Sequence, residues 1–299
     1  MPDILKTLKN KVLVCDGAMG TMLQKYGLSA GECPEYWNLT QSDKLLAVHK
    51  EYLEAGTDII ITNTFGANSL KLSKFNLEGK LREINISAAE NARSAVKKSG
   101  RDVFVAGDIG PTGSLLEPLG FLKLEEVYEV FMNQALALEE GGVDLIIIET
   151  MIAVEEAAAA VRAVKENTKL PVIACMTFDI QSNKEIRSVM GVDVLTMVTE
   201  LTNAGADILG SNCGNGVEQM IEVIKAIRSK TDKPLIAEPN AGLPKLKDGG
   251  IIYDGTPEML ASFTDSLLSA GANIIGGCCG TTPEHIRQIK NQIKRRNKK

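Results

Sequence analysis

Three cysteines stand where an α/β chain can bring them to one centre. Cys278 and Cys279 are adjacent, flanked by Gly276, Gly277 and Gly280, and follow the apolar pair Ile274-Ile275. Cys213 ends a second apolar run, Ala206-Asp207-Ile208-Leu209-Gly210-Ser211-Asn212-Cys213. Successive residues of a regular strand point to opposite faces. Both neighbouring sulfurs therefore serve one centre only if the chain leaves strand geometry there, which the glycines permit. Three thiolates at one rim make a zinc site with its fourth position open, the catalytic rather than the structural pattern. Spacing leaves two other readings: buried inert cysteines, or a vicinal disulfide between Cys278 and Cys279. Cys15 and Cys175 read as core residues, and Cys33 as a loop thiol.

Asp16 and Glu149 also close apolar runs. Two acids across a rim can work as acid and base or bind an ammonium group, and each can equally cap a loop or helix. The turn Asp16-Gly17-Ala18-Met19-Gly20-Thr21 can offer backbone N–H groups to a small anion such as a carboxylate. It lacks the Lys-Ser/Thr pair of a phosphate loop. The only histidines, His49 and His285, fall in predicted helices and read as surface or hydrogen-bonded helix residues. That disfavours a histidine triad or a histidine-rich zinc site.

To gather these groups, several strands must end on one face. Eight short apolar runs recur, at 11–15, 58–63, 103–108, 143–149, 171–177, 206–213, 234–239 and 273–278. They are rich in Val, Ile and Leu without clean alternation, as parallel strands covered on both faces are. Helical spacing occupies 44–55, 80–99, 124–141, 154–167, 192–204, 217–230, 257–270 and 283–295. Eight strand–helix units with right-handed crossovers predict an α/β fold, a (β/α)8 TIM barrel, as one domain over residues 1–299. The competing architecture is an open doubly wound sheet, but its Gly-x-Gly-x-x-Gly turn is missing after the first run. The carboxyl ends of barrel strands form the active face. Here they carry Asp16, Asn63, Asp108, Glu149, Thr177, Cys213, Asn240 and the Cys278–Cys279 pair. Thr256-Pro257 and Thr282-Pro283 read as helix starts, and Thr281 with Glu284 has capping-box spacing.

The 299 residues are 44% hydrophobic and 24% charged, an ordinary soluble composition. A net charge of −5 argues against nucleic acid as the main partner. The basic run 294–299 reads as a solvated helix end. No apolar run approaches the ~20 residues of a membrane span. The first eleven residues lack the apolar core of an export signal, so reduced thiols and a cytoplasmic location are expected.

Taken in order, Asp16-Gly17-Ala18-Met19-Gly20-Thr21, Asn63-Thr64-Phe65, Glu149-Thr150-Met151, Asn212-Cys213-Gly214, Pro239-Asn240-Ala241-Gly242 and Gly276-Gly277-Cys278-Cys279-Gly280 resemble the homocysteine S-methyltransferase family. The likeness is strongest to the homocysteine-binding modules of cobalamin-dependent methionine synthases, and runs from about residue 10 to residue 293. The resemblance implies a (β/α)8 barrel holding Zn2+ through Cys213, Cys278 and Cys279, with Asn240 completing the shell when substrate is absent. It implies that Asp16 and Glu149 hold the amino group of L-homocysteine, and that amides around Gly17, Ala18 and Met19 take its carboxylate. The chain has no room for the folate, cobalamin and reactivation domains of the multidomain synthases. The expected methyl donor is therefore small, or is carried by a separate protein such as a corrinoid protein, unless the chain is part of a longer one. Two alternatives stay open: a zinc methyltransferase acting on another thiol, and a zinc- or thiol-binding scaffold without turnover. A zinc hydrolase is disfavoured, because that chemistry usually takes His or carboxylate ligands.

Overall fold

A computed structural model describes residues 3–247 and 250–296. Eight parallel strands form its main sheet: β1 (Leu13–Val14), β2 (Ile59–Ile61), β3 (Phe104–Ile109), β4 (Leu145–Met151), β5 (Val172–Met176), β6 (Ile208–Cys213), β7 (Leu235–Pro239) and β8 (Ile274–Ile275). Consecutive strands are neighbours, and β8 pairs with β1. A parallel bridge between Cys15 and Ile59 joins β1 to β2, so the sheet curls into a barrel. The helices between are α1 (Ser42–Ala55), α2 (Leu81–Ser99), α3 (Leu124–Glu140), α4 (Val154–Asn167), α5 (Val194–Ala204), α6 (Val217–Arg228), α7 in two pieces (Pro257–Ser262 and Thr264–Ala270) and α8 (Pro283–Arg296).

Side-chain alternation divides the apolar residues into two shells. Leu13, Cys15, Ile59, Ala106, Leu145, Ile147, Ile173, Cys175, Ile208, Ile236 and Ile274 pack together inside the barrel. Ile146, Ile148, Val172, Ala174 and Leu209 belong to the second cluster, with residues of the helices. Cys15 and Cys175 are core residues, as their setting in the sequence suggests. Sequence patterning did not anticipate the short helix Ile4–Leu8, whose Ile4 and Leu8 join the inner cluster. Asp3 caps it by accepting from the Leu5 and Lys6 amides.

The β1–β2 seam is tied by Asp58. Its carboxylate accepts the Val14 amide at 2.9 Å, Lys11 Nζ at 2.7 Å, and Lys290 from α8. Burial works against this charge, yet the two lysines and the amide hold the Asp58 pKa below the ordinary range.

Local chemistry explains the helix boundaries. Gly205, at φ +103°, closes α5 in the left-handed conformation and lets the chain return to β6. Thr256 caps α7 by accepting the Met259 amide. The segment 257–270 is not one helix: the Phe263 amide bonds to Leu260 O, three residues back, and that tighter turn divides it. The expected Thr281–Glu284 capping box does not form. Helix α8 starts at Pro283, which puts Thr282 at the cap and His285 at its third position, and the Thr282 amide donates to His285 Nδ1 at 3.1 Å. Lys294, Arg295 and Arg296 form the last turn of α8, and residues 297–299 lie outside the described residues. No described helix is long and apolar enough to cross a membrane.

Candidate active site

The cysteines meet at the carboxyl end of the barrel. The sulfurs of Cys213, Cys278 and Cys279 all lie within 4.8 Å of one another. Zn–S bonds of about 2.3 Å in a tetrahedron set sulfurs about 3.8 Å apart, so a small contraction suits this trio to a metal. All three are free thiols, half-buried, and no disulfide joins Cys278 to Cys279.

Leaving the strand lets adjacent cysteines share one centre. Regular pairing of β8 stops at Ile275, and the next amides alternate between neighbours. The Gly276 amide donates to Ala237 O, that of Gly277 to Asp16 O, and that of Cys278 to Pro239 O at 2.9 Å. Cys279 O then accepts the Ala241 amide at 3.0 Å. Gly280 turns the chain at φ +80°, where a Cβ would lie 2.3 Å from Cγ of Tyr253. Cys213 sits at φ +63° at the end of β6, a conformation costly for a residue with a side chain.

Cys278 and Cys279 hydrogen-bond Cys213 and hold its thiol far below the ordinary range, while the bond to Cys213 pushes Cys278 up. Asn240 Nδ2 donates to Gly214 O at 2.7 Å and lies 3.5 Å from Cys213 Sγ. Its Oδ1 is buried without a protein partner. The Asn240 carboxamide therefore faces Cys213 through Nδ2, and its unpaired oxygen could serve as a fourth metal ligand once the amide turns over.

The carboxylates stand nearby. Asp16 is buried; its Oδ2 accepts the Ile61 amide at 2.9 Å across the β1–β2 seam. Burial, then the nearby Glu149, raises its pKa well above the ordinary range despite that bond. Burial likewise lifts Glu149 to about 7, and Cys213 adds to the rise. Of the expected anion-binding amides, that of Ala18 is already donated to Thr281 Oγ1 at 3.1 Å. Thr281 Oγ1 in turn donates to Cys278 O at 2.7 Å, which fastens this turn to the cysteine loop.

Two supporting side chains went unassigned in the sequence. Asn212 Oδ1 accepts the Thr150 amide at 2.7 Å, while Nδ2 donates to Thr150 Oγ1 at 2.7 Å and Glu149 Oε2 at 3.1 Å. Glu238 lies opposite Asn212 in the β6–β7 register, buried, with both carboxyl oxygens unpartnered. Their signal was parity: each stands two residues beyond an inward-facing position, Gly210 or Ile236.

Of the remaining strand-end residues, Asn63 and Thr177 tie the scaffold, whereas Asp108 keeps a buried, unpartnered Oδ1, and burial, then the nearby Glu149, pushes its carboxyl pKa well up. Asn63 Nδ2 bonds Pro34 O at 2.8 Å, Thr177 Oγ1 bonds Asn212 O at 3.2 Å, and Asp108 lies buried within β3. Cys33 is a free thiol in a loop, as expected, and is buried there with its Sγ 3.3 Å from Glu35. His49 is buried rather than at the surface, and its Nδ1 has no partner. His285 is hydrogen-bonded at both ring nitrogens, to Thr282 and to Gly255 O.

An eight-stranded barrel with a three-thiol cluster at the carboxyl ends of β6 and β8 defines a class of thiol-handling α/β barrels. The sequence profile described as homocysteine S-methyltransferase matches residues 13–293, and the chain belongs to that family. It is 34% identical over 302 residues to the methionine synthase of Mycobacterium tuberculosis, covering 96% of this chain and 25% of that protein. The methionine synthase of Mycobacterium leprae is 33% identical over 310 residues, covering 99% of this chain and 25% of its own. The chain thus spans about a quarter of the length of these curated relatives. The metallated crystal form of the homocysteine methyltransferase MmuM from Escherichia coli superposes with a TM-score of 0.80 at 24% identity, over 97% of this chain and 100% of that one. A methyltransferase from Methanosarcina mazei shares the fold at a TM-score of 0.61 and 12% identity, over 98% of each chain.

Proposed function

We propose that this chain methylates the thiol of L-homocysteine to give methionine, using zinc held by Cys213, Cys278 and Cys279. The observation that carries this reading is the convergence of three free thiols within 4.8 Å beside the Asn240 carboxamide. The relatives' name, methionine synthase, agrees with it.

Asn240 Oδ1 would fill the fourth metal position until substrate arrives. Asp16 and Glu149 would hold the substrate ammonium, whose charge relieves the burial of two acids. Gly17 and Met19 amides would take its carboxylate, with Ala18 committed to Thr281. A thiol of pKa about 8.5 is only ~3% thiolate at pH 7. Zinc, when bound, supplies the acidity that lets the substrate thiol stand as thiolate at neutral pH. Raising that fraction to near unity contributes about 2 kcal/mol, so alignment of sulfur, methyl carbon and leaving group must supply more. In the step itself the thiol proton goes to solvent and an S–CH3 bond forms. The donor's bond to methyl breaks, its electron pair staying with the leaving group. No histidine is needed at the sulfur.

The methyl donor stays open between a small molecule and a protein-borne group such as a corrinoid, the bearer being a separate protein or a further part of a longer chain. The test is a panel of methylcobalamin, S-methylmethionine and S-adenosylmethionine with homocysteine and zinc-loaded protein, scored for methionine. Methionine formation with one donor supports the reading. Binding of zinc and homocysteine with no product from any donor would make the chain a thiol-binding scaffold. Faster methylation of a different thiol would move the acceptor.

A further inference from the structure

Near the end of β3, Asp108 has a fixed backbone and an uncommitted side chain. Its amide donates to Thr62 Oγ1 at 3.0 Å, and its carbonyl accepts Thr64 Oγ1 at 2.8 Å and Gln134 Nε2 at 3.2 Å. The peptide group, not the carboxylate, therefore ties β3 to the segment after β2 and to α3. The carboxylate Oδ1 has no partner, although the residue is only 4% exposed. A buried acid left in this way costs stability unless a ligand meets it. Asp108 follows the inward-facing Ala106 by two residues, so its side chain points into the barrel mouth. It stands opposite Ile147 in the β3–β4 register, two residues short of Glu149. After burial, Glu149 is the group that acts most strongly on it, and Lys71, seated 4.2 Å from the centre of the Phe65 ring, offsets part of that charge. The rim is thus divided. Asp16, Asp108 and Glu149 stand on β3, β4 and the residues just after β1, and the thiols gather at β6 and the loop after β8.

Resting on the methyl-transfer reading above, we propose that the Asp108 carboxylate is the third acceptor for the substrate ammonium, and so sets the preference for a thiol that carries a primary amine. A primary ammonium has three N–H donors, and each needs an acceptor when it is buried. Asp16 has committed Oδ2 to the Ile61 amide, and Glu149 has committed Oε2 to Asn212. Each acid then brings one oxygen, and two oxygens leave one N–H unmet. Asp108 supplies the missing acceptor beside Glu149, on the side of the mouth away from the thiols. Glu238 is the other buried acid without partners, but both of its oxygens are sealed, and Oε1 lies 2.9 Å from where a Cβ on Gly276 would stand. Only Oδ1 of Asp108 is sealed, so a ligand reaches Asp108 and not Glu238. An amino acid held this way has its nitrogen among three acids and its sulfur over the cysteines.

The test measures binding rather than turnover. Zinc-loaded unmodified protein and its Asp108→Asn variant are titrated calorimetrically with two probes, L-homocysteine and 4-mercaptobutanoate, the same thiol acid without its amino group. Urea midpoints of both proteins report the role of the side chain in the fold. The expected result is that Asp108→Asn weakens homocysteine binding by at least about tenfold, the loss of one hydrogen bond to a charged group. Binding of 4-mercaptobutanoate should fall by no more than about twofold, and the urea midpoint should not fall. Equal loss with both thiols, or a lowered midpoint with no selective loss, makes Asp108 a support of the fold and overturns the proposal. Homocysteine that binds the variant as tightly as the unmodified chain, or an unmodified chain that binds both thiols equally, overturns it too. The two readings fail separately. Selective loss in a protein that forms no methionine from any donor upholds Asp108 and counts against methyl transfer alone. Methylation of homocysteine with no selective loss does the reverse.

Discussion

Asn212 Nδ2 donates to Glu149 Oε2 across 3.1 Å, joining the end of β6 to the end of β4 immediately beside Cys213. The same amide group holds the Thr150 backbone, at φ +61°, through Oδ1. One planar side chain therefore orients a carboxylate and stabilises a strained residue next to the thiol cluster. Asn212→Ala leaves Glu149 without that donor. A hydrogen bond to a charged group is worth about 1.5 kcal/mol or more, so homocysteine affinity should fall by about tenfold or more. Metal content should stay near that of the unmodified chain, because Asn212 is not among the proposed ligands. Calorimetric titration of homocysteine into zinc-loaded protein checks this.

Glu149→Gln keeps the shape of the side chain and removes its charge. Homocysteine should bind more weakly, while a thiol lacking the amino group should bind about as well as before. Zinc should remain. If the substitution instead strips the metal, Glu149 is a ligand or a support of the fold rather than a contact to substrate. Competition binding of the two thiols, with metal analysis of each sample, gives the answer.

Each of Cys213→Ala, Cys278→Ala and Cys279→Ala should abolish tight zinc binding and methyl transfer while leaving the barrel folded. The three half-buried thiols lie above the apolar filling of the barrel, so their removal costs little packing. Zinc measured after gel filtration, with circular dichroism as the control for folding, decides the matter. Full metal content in any one variant would remove that cysteine from the ligand set.

His49 predicts a pH dependence of stability. It is buried in α1, and burial pushes its pKa down to about 4 from an ordinary value near 6.5. A depressed histidine binds its proton later in the folded state than in the unfolded one. Its contribution is complete above about pH 6.5 and is lost as pH falls toward 4, a total of about 3 kcal/mol. Urea midpoints measured with chelator at pH 7 and pH 4.5 should show this loss, and His49→Leu should reduce it. An equal loss in the variant would assign the effect to other groups.

The barrel was legible from the chain itself because its information is local. Eight Val/Ile/Leu runs, eight helical spacings and short glycine turns each state a small preference, and all agree on one topology. The cysteine trio was legible for a related reason: residues at strand ends share a rim once the strands are parallel. Other features depended on contacts between distant parts of the chain. Thr281 matched a capping motif by spacing, yet α8 began one residue later than that motif needs, and its hydroxyl went to Ala18 and Cys278. His49 admitted a surface reading because nothing near it in sequence covers it; packing did. Local sequence thus determined which elements form and which residues reach the active rim. Only tertiary structure decided which polar atoms there are already bonded and which, like Asn240 Oδ1, remain free. The physical reason is that a hydrogen bond is a short-range, directional contact, and its partners here lie up to 263 positions apart in the chain.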